Sequence, residues 1–187
     1  TPLKGVFGPA MTEYVMGWLL AIERNVISRA SHTQWTPSLE PRIAGKRLGI
    51  MGTGGIGAAI AFAAKAFGLE VMGLNSDGRA VDGFTACYPS TDRLAFAERL
   101  DYLVSVLPQT SQTDNLIDHE VLTRLNPGAI VINAGRGNAV VEADLIASLN
   151  AGHVRAAVLD VFREEPLPPD DPLWSTPGVH ITSHTAG

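Results

Sequence analysis

The feature that most restricts this fold is a series of short apolar runs in which hydrophobic and polar residues do not alternate. Arg47–Met51, Glu70–Leu74, Asp101–Val106, Ala129–Ala134, Ala156–Val161 and Val179–Thr182 have this character, and Thr85–Tyr88 reads as a further short strand. A strand with no polar face is covered on both sides, which is how parallel sheets with crossover helices are built. Helical segments fill the gaps: Gly55–Phe67, Thr91–Leu100, Asp118–Leu125 ended by Asn126-Pro127-Gly128, and Glu142–Asn150 with Gly152 placed to stop it. The alternation predicts an α/β domain with a doubly wound parallel sheet, and 187 residues suit one such domain better than two.

Ahead of this pattern, Val15, Trp18, Leu19, Ile22 and Val26 recur at helical spacing and predict one long amphipathic helix from Thr12 to Ser31, with Pro9 just before it. A polar stretch with Pro37 and Pro41 follows and reads as a surface connection. Residues 1–45 are thus expected to be a connecting helix and linker, and residues 46–187 the main domain. The net charge of −5 argues against a nucleic-acid surface, which needs a positive field. Cys87 stands alone, so no internal disulfide is expected. The apolar stretch Tyr14–Ile22 is too short to span a bilayer, and no targeting signal is visible. These features predict a cytoplasmic protein without membrane or nucleic-acid partners and without a metal site. A chain that opens at Thr1 and stops at Gly187 reads as a piece of a longer one.

Gly52-Thr53-Gly54-Gly55-Ile56-Gly57 fits G-x-G-x-x-G. The pattern alone is weak in a chain with 19 glycines, but here it lies between a strand ending at Met51 and a helix opening at the glycines. Gly52 permits the tight turn, Gly54 lets a pyrophosphate approach, and Gly57 lets the helix pack on the strand. Gly55 and Ile56 begin the helix whose free N–H groups and positive dipole end face the phosphates. Residues 46–187 therefore read as a dinucleotide-binding domain of the Rossmann type. About 20 residues beyond the first glycine, NAD-binding versions carry an Asp or Glu for the ribose hydroxyls. This chain has Asn75, followed by Ser76, Asp77, Gly78 and Arg79. Without the carboxylate a 2′-phosphate is not repelled, and Arg79 can supply its countercharge. That favours NADP(H) over NAD(H), although Asp77 would serve the ribose after a small turn adjustment.

Three later segments stand where a strand gives way to a loop. They are Ile132-Asn133-Ala134-Gly135-Arg136-Gly137, Leu159-Asp160-Val161-Phe162-Arg163-Glu164-Glu165-Pro166-Leu167-Pro168, and His180–Gly187 with His184 inside it. Ligands of open α/β sheets bind along that edge. With the glycine motif, in this order, they make the chain resemble the NAD(P)-binding domain of the D-isomer-specific 2-hydroxyacid dehydrogenases. Val106-Leu107-Pro108 with Thr110 and Thr113, and Glu165-Pro166-Leu167-Pro168 with Pro172-Leu173-Trp174, resemble the glyoxylate/hydroxypyruvate reductase A type within it.

The resemblance implies NAD(P)H-dependent reduction of a small 2-oxo acid to a D-2-hydroxy acid. It implies that Arg136 binds the substrate carboxylate and that His184 is the general acid–base. Glu165 would hold the far ring nitrogen, fix its tautomer and raise the histidine pKa. Asp160 would lie beside the nicotinamide, bonding its carboxamide or shaping that wall, and Leu107, Pro108, Thr113, Ala134 and Gly135 would line the cofactor site. A homodimer formed through the helices of this domain is implied as well. Gly135 stands where the family commonly has a larger residue, and Ser183 where it has proline; neither removes a functional group. The family's substrate domain, built mostly from an N-terminal segment and completed by a C-terminal helix, is not in this chain. The alternatives are another family member, acting on D-lactate or D-3-phosphoglycerate, and a non-catalytic dinucleotide-sensing module.

Overall fold

The computed structural model describes residues 7–187. Residues 1–6 of the expected N-terminal segment lie outside them. The described chain forms a seven-stranded, all-parallel sheet in the order β3-β2-β1-β4-β5-β6-β7. Its strands are β1 (Arg47–Met51), β2 (Glu70–Asn75), β3 (Ala86–Pro89), β4 (Tyr102–Ser105), β5 (Ala129–Asn133), β6 (Val154–Leu159) and β7 (Val179–Ile181). The helices are α1 (Gly8–Glu23), α2 (Val26–Ala30), α3 (Gly55–Ala66), α4 (Arg93–Ala97), α5 (His119–Arg124) and α6 (Glu142–Asn150). The strand order reverses direction between β1 and β4, and that reversal is the crevice in which doubly wound sheets bind ligands.

Period-two alternation along each strand feeds two cores. Leu48, Ile50, Val71, Val104, Ile130, Ile132 and Val158 face α1 and α3, whose Val15, Leu19, Ile60 and Ala64 cover them. Met51, Met72, Leu103, Val131, Ala157 and Leu159 face the other way, under Phe96 of α4, Val121 and Leu122 of α5, and Leu145 and Leu149 of α6. Both faces demand apolar residues, so the runs show no polar alternation.

The expected single helix over Thr12–Ser31 is two helices. The chain breaks at Asn25, which takes a left-handed φ of 52°, a conformation that Asn tolerates better than most residues. The Asn25 amide donates to Glu40 at 2.5 Å. Val26, which extends the apolar spacing, is 52% exposed and packs on no core. α1 itself lies against α3, with its Met11, Val15, Met16 and Leu19 buried. The connection after α2 has no helix or strand from 32 to 43, and Trp35 is 95% exposed on it. The expected helix Thr91–Leu100 is shorter, a single 3₁₀ turn at Ser90–Asp92 followed by α4. β6 stops at Leu159, before Asp160 turns into the loop.

Glu23 ends α1 only 1% exposed. Its two oxygens take Lys46 Nζ and Arg155 Nη2, each at 2.5 Å, which ties α1 to β6 and to the chain entering β1. Glu23→Gln keeps the shape and removes the charge that both cations face. Lys46 and Arg155 are about one-third exposed and recover some hydration. We expect a stability loss of about 2 kcal/mol in urea unfolding, and a loss below about 0.5 kcal/mol would contradict this role.

Candidate functional site

Besides a recess of about 470 Å³ lined by Asp160, Phe162, Glu165, Trp174 and His184, two recesses open on the C-terminal edge of the sheet. The first lies at the β1/β4 switch point and has a volume of about 360 Å³. Gly52, Thr53 and Gly54 line it, together with Asn75, Ser76 and Arg79 after β2 and Leu107, Pro108 and Thr113 after β4. Gly54 is the N-cap of α3 and offers no side-chain cap. The first closing bond of the helix runs from Ala58 N to Gly54 O at 2.8 Å, so the N–H groups of Gly55, Ile56 and Gly57 have no partner within the helix. A Cβ on Gly54 or Gly55 would meet nothing within 4 Å, so the space before these donors is open. At Gly57 a Cβ would stand 1.9 Å from Gly52 O, so only glycine lets the helix start this close to the turn. An uncapped helix N-terminus with open space before it suits a diphosphate.

The side chain of Asn75 lines this recess, but its polar atoms are taken up within its own turn. It is buried, donating to Thr53 Oγ1 at 3.1 Å and Arg79 O at 2.9 Å, and accepting from Gly78 N at 2.6 Å. It builds the turn that presents Arg79, whose exposed guanidinium is 3.0 Å from Asp77 Oδ1. Thr113 is likewise engaged in its own loop. It donates to Pro108 O at 2.7 Å and accepts from Thr110 N at 3.0 Å. These two residues shape the groove rather than offer it polar atoms.

The second recess, of about 550 Å³, brings together Arg136, Glu165 and His184, with Gln109, Asn115 and Asn138. His184 Nδ1 lies 2.8 Å from Glu165 Oε2. The other carboxylate oxygen accepts from Phe162 N at 2.9 Å. Partial burial pushes the Glu165 carboxyl up, but the bonds from His184 and Phe162 and the charges of His184 and Arg136 outweigh it and hold it below its ordinary value. Glu165 is therefore an acceptor at neutral pH, and its partner Nδ1 carries the proton. Nε2 is left as the free nitrogen of a half-exposed ring. The sign follows: the pair is intact above the ordinary carboxylate range and is lost only as pH falls through the lowered value.

Arg136 is held from below by Asn133, the fully buried last residue of β5. Asn133 Nδ2 donates to Arg136 O at 3.0 Å, and its Oδ1 accepts from Gly135 N at 3.2 Å. Sequence reasoning overlooked Asn133, although a polar residue closing an apolar run was the available signal. A Cβ on Gly135 would sit 2.6 Å from Leu107 N, so the larger residue common elsewhere has no room here. On Gly137 it would sit 1.9 Å from the Phe162 carbonyl carbon, so the arginine loop and the glutamate loop touch backbone to backbone. Arg163 was also missed. Its guanidinium donates to Val140 O and Asn138 O at 2.6 and 3.0 Å and reaches Asn115 Oδ1, lacing three loops together.

Asp160 was expected to bond the nicotinamide carboxamide or to shape that wall. It is 1% exposed, and its carboxylate accepts from Thr182 Oγ1 at 2.5 Å, Thr185 N at 2.9 Å and Ala186 N at 3.0 Å. Its main-chain oxygen accepts from His184 N at 2.9 Å. It anchors the histidine loop and forms wall rather than ligand contact. Ala134 is buried against Met11 and Ala186. Among the described residues no group of three or more His, Cys, Asp or Glu is arranged to hold a metal ion. No helix among the described residues is long and apolar enough to cross a membrane.

Residues 16–186 match the family model described as D-isomer specific 2-hydroxyacid dehydrogenase, NAD binding domain. A glyoxylate/hydroxypyruvate reductase A of Yersinia enterocolitica is 38% identical over 180 residues, which are 94% of this chain and 57% of that protein. The chain thus spans little more than half the length of this curated relative. A crystal structure of a D-isomer specific 2-hydroxyacid dehydrogenase family protein from Aeromonas salmonicida superposes with a TM-score of 0.92 at 40% identity, covering 99% of this chain and 61% of that one. The NADPH-dependent glyoxylate/hydroxypyruvate reductase of Sinorhizobium meliloti, solved with NADP and sulfate, gives a TM-score of 0.87 at 33% identity, covering 97% and 60%. The sheet order, the glycine turn and the match along nearly the whole chain agree, and the chain belongs to the D-isomer specific 2-hydroxyacid dehydrogenase family, as its NAD-binding domain.

Proposed function

We propose that the protein carrying this domain reduces a small 2-oxo acid of the glyoxylate or hydroxypyruvate type to a D-2-hydroxy acid, with NADP(H) preferred to NAD(H). The observation that carries the reading is the Glu165–His184 pair, 2.8 Å apart, on the same recess as Arg136 and beside the glycine groove.

Gly52, Gly54 and the first turn of α3 would hold the diphosphate, and Arg79 would face a 2′-phosphate. When bound, the dinucleotide supplies a hydride for the carbonyl carbon. The exposed Arg136 guanidinium binds the substrate carboxylate, a task for which a planar, permanently charged fork is suited. His184 holds a proton at Nε2 and delivers it to the carbonyl oxygen, while Glu165 keeps Nδ1 protonated and stabilises the charged ring. Names of relatives support the substrate class and the cofactor: the Yersinia enterocolitica protein is a glyoxylate/hydroxypyruvate reductase A, and the Sinorhizobium meliloti enzyme is NADPH-dependent. We also propose a homodimer, with exposed Val26, Ile27, Trp35 and Leu39 in the contact.

Three measurements test this. Titrated with both reduced dinucleotides, the chain should bind NADPH more tightly, and Arg79→Ala should weaken NADPH by about tenfold while leaving NADH unchanged. Tighter binding of NADH would overturn the cofactor preference. In the full-length protein, His184→Ala should lower kcat by about a hundredfold or more with cofactor affinity intact. Undiminished turnover on both glyoxylate and hydroxypyruvate would remove His184 from the reaction. Sedimentation should show a dimer at micromolar concentration, and a monomer throughout would refute the pairing.

A further inference from the structure

We propose that Tyr14 and Thr182, acting through Asp160, are positioning residues that hold the His184 imidazole in its Glu165-bound, Nδ1–H form. The proposal deepens the reading of His184 given above and rests on it for its bearing on turnover.

His184 occupies the left-handed region, with φ of 55°. For a residue with a side chain that conformation is strained, so the loop stays there only if something holds it. Asp160 does the holding. Its buried carboxylate takes the N–H groups of Thr185 and Ala186, the two residues after the histidine, at 2.9 and 3.0 Å. Its main-chain oxygen takes the histidine N–H itself. No cation pairs with this carboxylate among the described residues, so neutral donors alone compensate its burial.

The third donor to the carboxylate is the Thr182 hydroxyl, at 2.5 Å from Oδ1. A hydroxyl has one hydrogen, and a carboxylate only accepts. Thr182 therefore gives its hydrogen to Asp160, and the Tyr14 hydroxyl, 2.7 Å away, must donate to Thr182. Burial, with Asp160's charge adding to it, pushes Tyr14 up to about 12, so this hydroxyl is a protonated donor throughout the neutral range. The result is a one-directional chain from Tyr14 to Thr182 to Asp160, closed by the two amides that follow His184. Hydrogen bonds arranged head to tail polarise and strengthen one another. Tyr14 sits on α1, 168 residues from Thr182. Its ring packs edge-on to Trp18 at 6.4 Å, a contact that loss of the hydroxyl leaves in place.

The test reads the imidazole rather than turnover. Two-bond ¹H–¹⁵N NMR correlations, recorded where the rings are neutral, separate the Nδ1–H and Nε2–H tautomers, and the His184 signals are those missing from His184→Gln. The wild type should show Nδ1–H alone. Thr182→Val keeps the shape but removes both bonds, and should weaken that preference by about fivefold, with NADPH affinity unchanged. Thr182→Ser, which keeps the hydroxyl, should restore it, and Tyr14→Phe should move it in the same direction by less. A folded Thr182→Val with wild-type tautomer populations would overturn the proposal. Should Thr182→Val fail to fold, unchanged His184 correlations in Tyr14→Phe would do the same. A His184→Ala enzyme that kept its rate would sink the acid–base reading and leave this proposal standing.

Discussion

Parallel strands that stop at one edge of a sheet leave the amides of the following loops without ladder partners, and this chain meets that need with buried polar side chains. Asn75 closes the turn after β2, Asn133 the turn after β5, and Asp160 the loop that packs behind β6 and β7. Each lies at or just past the end of its strand, is less than one-tenth exposed, and accepts from backbone N–H groups nearby in space. Burying such groups is unfavourable unless their hydrogen bonds are made. Once made, they fix the loops in one arrangement. The rest of the site depends on that constraint, because Arg79, Arg136 and His184 all stand on loops closed in this way.

Labour is divided accordingly. Residues whose polar atoms face inward build the loops, and those that keep donors toward solvent are the exposed or half-exposed ones: the Arg79 guanidinium beside Asp77, the Arg136 guanidinium, which gives one N–H to Gly135 O, the Nε2 side of His184 and the N–H groups opening α3. The loops are also fastened to one another. Gly137 touches the Phe162 backbone, and Arg163 binds the carbonyl oxygens of Asn138 and Val140. Arg136 and Glu165 therefore keep their separation through backbone contact, not only through their own flexible side chains. A site that must meet substrate with atoms about 3 Å apart gains from such rigidity.

Much of the architecture was legible in the sequence because the strands are covered on both faces, and unbroken apolar runs such as Ala129–Asn133 are the direct result. Element ends were less legible. The break at Asn25 depends on Glu23 being drawn to Lys46 and Arg155 and on Asn25 bonding Glu40, contacts that no local pattern records. Within the site, Arg136, Glu165 and His184 could be picked out by residue type and motif order, and the structure gathers them on one recess. Asn75, Thr113 and Asp160 were expected at the cofactor site, and Asn75 and Thr113 do line the glycine recess, but the residue type alone does not tell whether a polar atom faces outward or back into its loop. Tyr14 lies outside the motifs, Thr182 and Arg163 lie inside motif segments without being singled out, and the partners of all three lie far away in the chain.

The bond between Tyr14 and Thr182 also bears on how the molecule assembles. Joining α1 to the end of β7 closes a loop of nearly the whole described chain, and long closures are entropically costly and come late unless intervening structure has already shortened them. The half-sheet β1–β3 is contiguous in sequence and draws on local contacts. The histidine loop waits for β6, for the 162–165 turn and for the docking of α1. The histidine loop thus takes its geometry from contacts between distant parts of the chain, and that geometry is complete only when the scaffold beneath it is.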